Sequence, residues 1–335
     1  MTSSPSLPDV DLLASDDPVG AFLDAHLAGA RVLLRTSGTT GPPRTVVRST
    51  SSWTTSFGHV SRLASITRSS RLWVPGPPTG TMNLFAQVHA AAVGARCVDS
   101  PDEATHWVVT PSVLRSSLPS ARPGVVVVVA GDRLDASLRA AGVSAGLVVH
   151  HYYGAAELSF VAWGADASSL RPFPGVAVEP RDGVLWVRSP YVSDGYVEGS
   201  GAFVLDASGW ATVGDRGRLL SDGTLLVDGR DDVVITGGAT VHIADVEGSL
   251  LPAASGPAVV VGVPHAELGA VVALVVEREE DAEVLRTLSR SALSPALRPR
   301  LFFRLAPLPL APSGKVDRAA VADAVASGVA EVLVP

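Results

Sequence analysis

The chain has 335 residues, of which 47% are hydrophobic and 18% are charged. This composition excludes an intrinsically disordered protein and leaves room for two domains. The net charge of -7 argues against a nucleic-acid partner, which usually requires a basic face, and the single cysteine, Cys97, excludes an internal disulfide and a cysteine-based metal site.

The start of the chain is polar and acidic, without the basic segment and apolar run of a signal peptide. The longest apolar runs fall far short of the ~20 residues that cross a bilayer; they are 125–130, 258–263 and 270–276. Each run is typical of a buried strand. The sequence therefore predicts a soluble, cytoplasmic protein with no membrane partner.

Strand-like and helix-like segments alternate through the first part of the chain. The strand-like segments are 31–35, 71–74, 106–110, 125–130 and 147–152. The helix-like segments are 51–68, 82–92, 111–118 and 134–141. This alternation predicts an α/β layer with a mostly parallel sheet.

The pattern changes at about residue 175, where short β-like segments begin. Turn dipeptides join them: Asp182-Gly183, Asp222-Gly223 and Asp228-Gly229. This spacing predicts a β-rich subdomain over about 175–229. Beyond a boundary at 229–232, strands and helices alternate again, which predicts a small α+β C-terminal domain at 230–335 after a large N-terminal α/β domain at 1–229.

The strongest local signal is a turn rich in hydroxyls and glycines directly after the first strand. It comprises Thr36, Ser37, Gly38, Thr39, Thr40 and Gly41. Glycines let a backbone approach a ligand closely, and hydroxyls with free N–H groups surround phosphate oxygens. The turn lacks the Gly-Lys-Ser/Thr end of a Walker P-loop. Taken alone, it is equally typical of a surface turn, so both interpretations stay open at this point.

Four further segments follow this turn in order. They are HYYGAAE at 151–157, GDRGRL at 214–219, DGRDDVVITGG at 228–238 and PSGKVDR at 312–318. With TSGTTGPPR they resemble, one by one, the signature motifs of the ANL superfamily of acyl-CoA synthetases, nonribosomal adenylation domains and luciferases. The resemblance extends from about residue 31 to 320, and VVVAGDRLDASL is most similar to the o-succinylbenzoate–CoA ligase branch.

The resemblance implies a nucleotide site in the first domain. The turn at 36–41 would hold the ATP phosphates. Gly131 and Asp132 would border the adenine and the acyl pocket, Tyr153 would flank the adenine, and Gly154 would also bind the nucleotide. These roles follow from the motif positions alone.

The resemblance also implies the ribose and metal contacts. Asp215 would accept hydrogen bonds from the ribose hydroxyls, and Arg230 would contact the ribose as well. Glu157 would help hold Mg²⁺, a hard cation that prefers oxygen ligands and neutralises phosphate charge during in-line attack.

Lys315 is the catalytic residue that the resemblance implies. In adenylation a carboxylate attacks the α-phosphate, so a cation placed on the developing charge lowers the barrier. Asp231 would be the hinge about which the C-terminal domain rotates between two half-reactions. After that rotation, Gly237 and Gly238 would form the tunnel for the CoA pantetheine.

The sequence departs from the motifs at two positions, and its hinge segment is one residue shorter than usual between Arg230 and Gly237. Arg44 stands where the family has lysine, which changes the geometry of the charge. Ala156 stands where the family has threonine, so we expect slower adenylation. Because the first motif begins at residue 36, a trimmed fold, completion by a partner and a homodimer all stay open.

The sequence therefore predicts an ATP-dependent acid–thiol ligase that adenylates a small carboxylic acid and transfers the acyl group to CoA. Segments 73–81, 131–133 and 152–160 would line a largely apolar acyl pocket. Two alternatives stay open. One passes the acyl group to the phosphopantetheine of a carrier protein or to an amine, and the other is a degenerate, non-catalytic nucleotide-binding protein, which Arg44 and Ala156 motivate.

His150 and His151 are not interpreted as metal ligands. Adjacent residues of a strand point to opposite faces of the sheet. We therefore expect at least one of the two histidines to be packed in the core.

Overall fold

The computed structural model describes residues 9–35, 44–197, 202–230, 233–237, 239–311 and 315–333, without the side chains at 230, 239 and 240. Its eight α-helices are α1 Pro18–Ala28, α2 Ser51–Leu63, α3 Thr81–Val93, α4 Pro111–Ser117, α5 Ala136–Ser144, α6 Ile243–Leu250, α7 Glu279–Ala292 and α8 Arg318–Ala326. Among these helices, none combines the length and the apolar character that a membrane span requires.

The strands of the described residues form four sheets. In the first half of the chain they are β1 Val10–Asp11, β2 Arg31–Arg35, β3 Thr45–Ser49, β4 Arg71–Trp73, β5 Arg96–Val98, β6 His106–Val109, β7 Val126–Val129, β8 Val148–Ala155, β9 Ser159–Gly164 and β10 Arg171–Pro172. The later strands are β11 Ala177–Arg181, β12 Val184–Arg188, β13 Gly195–Tyr196, β14 Val204–Leu205, β15 Ala211–Thr212, β16 Asp215–Leu219, β17 Leu225–Arg230, β18 Val233–Thr236, β19 Ala239–His242, β20 Ala258–His265, β21 Gly269–Val276, β22 Leu301–Arg304 and β23 Glu331–Val332.

Two compact units divide the described residues. The larger contains residues 9–35 and 44–227, and the smaller contains 228–311 and 315–333. Both mix helices with sheets, so the predicted α/β class, with a large N-terminal and a small C-terminal part, is confirmed. The division of labour between an AMP-binding domain at 1–229 and a mobile catalytic domain at 230–335 stays a prediction.

A seven-stranded sheet forms the centre of the larger unit, in the order β10-β9-β8-β7-β6-β4-β5. Strands β5, β4, β6, β7 and β8 run parallel to one another. Strand β9 pairs antiparallel with β8 on one side and with β10 on the other. The chain order of the parallel strands reverses between β4 and β6, as in doubly wound folds. Such sheets bind ligands outside the carboxyl ends of the strands.

Alternation along β7 explains how this sheet is buried on both faces. Val128 packs with α2 and α3 residues such as Trp53 and Phe85. Val127 and Val129 point the other way and pack near α4 and α5. Successive strand residues face opposite sides of the sheet, so the valines of β7 contribute to the hydrophobic cores on both faces.

Two smaller sheets complete the larger unit. One has the order β1-β2-β3-β13, and the other has the order β14-β15-β12-β16-β17 with β11 paired to β12. The second sheet confirms the predicted β-rich part after residue 175. Strand β13 pairs with β3 through Gly195↔Val47 and Tyr196↔Val46, which brings the segment before and within β13 next to β3.

The smaller unit is built on one sheet of the order β19-β18-β21-β22-β23, with β20 paired to β21. Its apolar residues form two clusters. Val272 and Leu274 of β21 belong to the cluster that includes α6 and α7 residues, and Ala273 and Val275 belong to the cluster that includes Val321 of α8. The unit is therefore an α+β layer with its own core.

Two histidines of the larger unit, His89 and His151, are buried. His89 lies 2.8 Å from the Ser61 hydroxyl, and the Nδ1–H of His151 donates to the Val129 carbonyl at 3.0 Å. Burial lowers the pKa of each imidazole to about 4. Asp132 and Asp166 raise the pKa of His151 and Arg133 lowers it, but each of these effects is smaller than that of burial.

We expect the free energy of unfolding to fall when the pH is lowered from about 7 to about 5. In that window the unfolded histidines bind protons near their ordinary pKa of about 6.5, whereas the folded ones stay neutral, at a cost of roughly 2 kcal/mol each. Urea unfolding at both pH values measures the loss. His89→Gln should remove roughly 2 kcal/mol of this pH dependence, and an unchanged pH dependence would contradict the assignment.

Candidate active site

The carboxyl ends of β7 and β8 bring several predicted site residues to one edge of the central sheet. The two strands are parallel and in register at Val129↔His151. Gly131 and Tyr153 each lie two residues beyond that pair. Gly131 adopts a φ of 84°, a left-handed conformation that favours glycine, and it turns the chain towards Asp132 and α5.

The packing of the backbone itself requires glycine at position 154. A Cβ atom at this position would lie 2.0 Å from the carbonyl oxygen of Ser159. The β8–β9 hairpin also changes register between Tyr153 and Gly154. Glycine thus allows a close approach of the two strands, which fixes Tyr153 on one side of the turn and Glu157 on the other.

Tyr153 and Asp215 form a hydrogen-bonded pair. The phenol donates to Oδ2 of Asp215 at 2.6 Å. Asp215 is the first residue of β16 and is 9% exposed. The residues predicted to contact adenine and ribose therefore lie side by side, although they are far apart in the sequence.

Glu157 is held by groups from the segment around β13. Its side chain is 4% exposed, and the Tyr196 hydroxyl donates to its Oε1 at 2.7 Å. The Ser193 N–H donates to the Glu157 carbonyl at 2.8 Å. Burial, together with the Glu157 carboxylate, raises the pKa of Tyr196 to about 12, so the phenol stays a donor.

Two arginines lie near the pair formed by Glu157 and Tyr196. The guanidinium of Arg44 is 5.6 Å from the centre of the Tyr196 ring. Arg48 is completely buried, and burial lowers its pKa to about 9 while Asp194 and Glu157 raise it. It therefore remains charged at neutral pH.

Sequence reasoning missed Arg48 and Tyr196. Arg48 directly follows the two valines of the short strand TVVRS, and an arginine at a strand position that should be buried is a usable signal. Tyr196 carries no comparable signal, because its contact with Glu157 arises from the pairing of β13 with β3.

The donor set fits Mg²⁺ bound mainly through phosphate oxygens. Among the described residues, no three or more His, Cys, Asp or Glu side chains cluster as a dedicated metal cage would require. One buried carboxylate, that of Glu157, matches the habit of Mg²⁺, which uses one or two carboxylates together with substrate phosphates.

The predicted acyl pocket lies in segments that follow β4, β7 and β8. Behind them, between the sheet and α2 and α3, the structure leaves an apolar cavity of only ≈ 20 Å³. Tyr152 and Phe160 line it, with ring centres 4.5 Å apart. The interior beneath this edge is thus already filled by side chains.

Several predicted residues lie outside what the structure describes. These are the turn Thr36, Ser37, Gly38, Thr39, Thr40 and Gly41, the hinge Asp231, and Gly238. Arg230 ends β17, but its side chain is also outside the described part. The roles given to these residues stay predictions.

Two predicted residues lie in the smaller unit. Gly237 has a φ of 55° in the turn between β18 and β19, and its N–H donates to the Leu268 carbonyl at 3.0 Å. Lys315 is half-buried, and its carbonyl accepts from the Ala311 N–H at 2.8 Å. Their roles in the CoA tunnel and in catalysis stay predictions.

Comparisons with known proteins give relatives that include acyl–CoA ligases and an acyl-AMP ligase. No protein-family model matches the chain. An uncharacterised acyl–CoA ligase of Bacillus subtilis, YhfT, is 26% identical over 324 residues, which cover 85% of this chain and 67% of that protein. The salicyl-AMP ligase/salicyl-S-ArCP synthetase of Mycobacterium tuberculosis is 34% identical over 169 residues, covering 47% and 29%.

A solved structure has the same fold. The o-succinylbenzoate CoA synthetase MenE of Bacillus subtilis, in complex with the acyl-adenylate intermediate OSB-AMP, superposes with a TM-score of 0.70 at 24% identity, covering 87% of this chain and 68% of that chain. The chain spans about two thirds or less of the length of the curated relatives described above.

Proposed function

We propose that this chain, which belongs to the ANL superfamily, activates a carboxylic acid with ATP and Mg²⁺ and transfers the acyl group to CoA. In the first step a carboxylate oxygen bonds to the α-phosphorus, and the bond from that phosphorus to pyrophosphate breaks. In the second step the thiol sulfur bonds to the acyl carbon and AMP leaves.

One observation carries this proposal. Two motif carboxylates, Glu157 and Asp215, are buried and each accepts a hydrogen bond from a tyrosine hydroxyl. Both are linked to one hairpin at the carboxyl edge of the parallel strands. A nucleotide at this edge would find one carboxylate for its ribose and another for the Mg²⁺ on its phosphates.

The residues of this chain have distinct tasks in the proposal. Asp215 accepts from the ribose hydroxyls while Tyr153 fixes its position. Glu157 would hold Mg²⁺, which when bound neutralises phosphate charge. Lys315 would stabilise the negative charge that develops as carboxylate and phosphate meet.

The substrate is proposed to be a small carboxylic acid. The ≈ 20 Å³ cavity behind the edge has room for about one water molecule, which is too little for an acyl chain. An acid that stays at the edge, near 131–133 and 152–160, fits this interior better than a long chain does.

Acid-dependent exchange of pyrophosphate into ATP tests the proposal. A panel of short, aromatic and long-chain acids is assayed first, and CoA is then added while AMP release is followed. Exchange that CoA converts into AMP release supports the ligase. Exchange without a response to CoA favours a carrier-protein or amine acceptor, and Mg–ATP binding without exchange for any acid favours the non-catalytic alternative.

Asp215→Asn is expected to raise the KM for ATP by ~10–100-fold, because hydrogen bonds to a charged group contribute about 1.5–3 kcal/mol. The KM for the acid should change little. Tyr153→Phe keeps the carboxylate and loses only the bond that fixes it, so a rise of less than ~10-fold is expected. Exchange kinetics measure both constants, and an unchanged KM for ATP in Asp215→Asn would contradict the ribose contact.

A further inference from the structure

Arg48 joins three segments that surround Glu157. Its Nε donates to the Ser52 hydroxyl at 2.9 Å, and one terminal nitrogen donates to the Ala156 carbonyl at 3.1 Å. The other terminal nitrogen donates to the Tyr191 carbonyl. Through these bonds one side chain connects β3 and α2 with the β8–β9 hairpin and with the segment that leads to β13.

The burial of this arginine is unusual and needs compensation. Arg48 is 0% exposed, and an unpaired charge in such a place costs several kcal/mol. Three hydrogen bonds and the indole of Trp53, 5.4 Å from the guanidinium carbon, surround the cation. Glu157 and Asp194 supply the nearby negative charge.

The contact between Arg48 and Ala156 bears on the orientation of the neighbouring Glu157 side chain. Ala156 has no polar side chain, and its carbonyl accepts a hydrogen bond from Arg48 at 3.1 Å. Beyond it, the Glu157 carbonyl is held by Ser193 and the carboxylate by Tyr196. Successive groups from the Ala156 carbonyl to the Glu157 carboxylate are thus fixed, and Arg48 holds the first of them.

We infer that Arg48 is a positioning residue for the Mg²⁺–ATP complex, because it fixes the Ala156 carbonyl and with it the direction of the Glu157 carboxylate. This inference rests on the proposed function, in which Glu157 holds Mg²⁺. A lysine cannot replace Arg48, because one ammonium group lacks the planar fork that reaches acceptors on different segments.

Arg48→Lys tests the inference by its effect on Mg²⁺ binding and not by its effect on activity alone. Groups that orient a metal ligand typically contribute 10–100-fold to metal affinity, so the Mg²⁺ concentration for half-maximal ATP binding, measured by titration calorimetry, is expected to rise by ~10-fold or more. The same shift should occur in pyrophosphate exchange, while the KM for the acid stays within about twofold.

Arg122→Lys provides a matched control. Arg122 also donates to a backbone carbonyl, that of Ala104 at 2.7 Å, but it precedes β7 and lies at the opposite, amino edge of the sheet. Its replacement should leave the Mg²⁺ dependence unchanged. Arg48→Met, which removes the charge, should exceed the effect of Arg48→Lys, and thermal unfolding monitors whether each variant folds.

The outcomes separate the inference from the proposed function. A folded Arg48→Lys with the Mg²⁺ dependence of the wild type overturns the inference. If the wild type binds Mg–ATP but exchanges pyrophosphate with no acid, the proposed function fails, while the calorimetric shift still decides the role of Arg48. A wild type whose ATP binding does not depend on Mg²⁺ overturns both.

Discussion

Lys315→Ala is expected to reduce acid-dependent pyrophosphate exchange by at least ~10²–10³-fold, the usual cost of removing one group that stabilises charge in a transition state. Binding of Mg–ATP, measured by calorimetry, should change much less, because the phosphate contacts proposed for the larger unit would remain. The reaction brings a carboxylate against a triphosphate, and the ammonium of Lys315 would offset that repulsion.

Lys315→Arg tests whether a positive charge is sufficient when the geometry of the charged group differs. It keeps the cation but replaces a compact ammonium by a planar guanidinium, so partial activity between those of the wild type and Lys315→Ala is expected. An alanine variant that exchanges pyrophosphate within about threefold of the wild type would remove Lys315 from catalysis.

The sequence offers an independent measurement on the same residue. Lys315 is the only lysine in the 335 residues, so an amine-selective reagent modifies this side chain and the amino terminus alone. If Lys315 faces the triphosphate, Mg–ATP should slow its modification. Equal rates with and without ATP would argue against that position.

Local patterns were sufficient to predict most of the fold. The apolar runs at 106–110 and 125–130 became β6 and β7, and the helix-like segment 82–92 became α3. Alternation of strands and helices predicted the parallel sheet, because parallel strands need crossover connections. The motif positions alone gave Gly131 and Tyr153 their roles, and the structure brings them to one edge because the carboxyl ends of parallel strands lie together.

The supports of the site could not be predicted in the same way. Arg48, Ala156 and Tyr191 are far apart in the chain, and only the pairing of β13 with β3 and the packing of the β8–β9 hairpin bring them together. Motif matching likewise gave Gly154 a nucleotide role, whereas its close approach to Ser159 shows a requirement of the backbone itself.

Glu157→Gln is expected to lower pyrophosphate exchange by ~10–100-fold and to raise the Mg²⁺ requirement by a similar factor. The amide has the same size, and its oxygen can still accept from Tyr196, so the change is chiefly the loss of one negative charge at the proposed metal site. High Mg²⁺ should restore part of the activity, and chelation of Mg²⁺ should abolish the difference between variant and wild type.

A variant of the neighbouring Tyr196 and the stability of Glu157→Gln show whether the effect on the Mg²⁺ requirement comes from the carboxylate. Tyr196→Phe removes the hydrogen bond to Oε1 but keeps the carboxylate, so its effect on the Mg²⁺ requirement should be smaller than that of Glu157→Gln. The glutamine variant also leaves Arg48 with one nearby anion fewer, and a lower unfolding temperature is therefore expected. If Glu157→Gln loses stability yet keeps the Mg²⁺ requirement of the wild type, the carboxylate serves Arg48 and the fold rather than the metal.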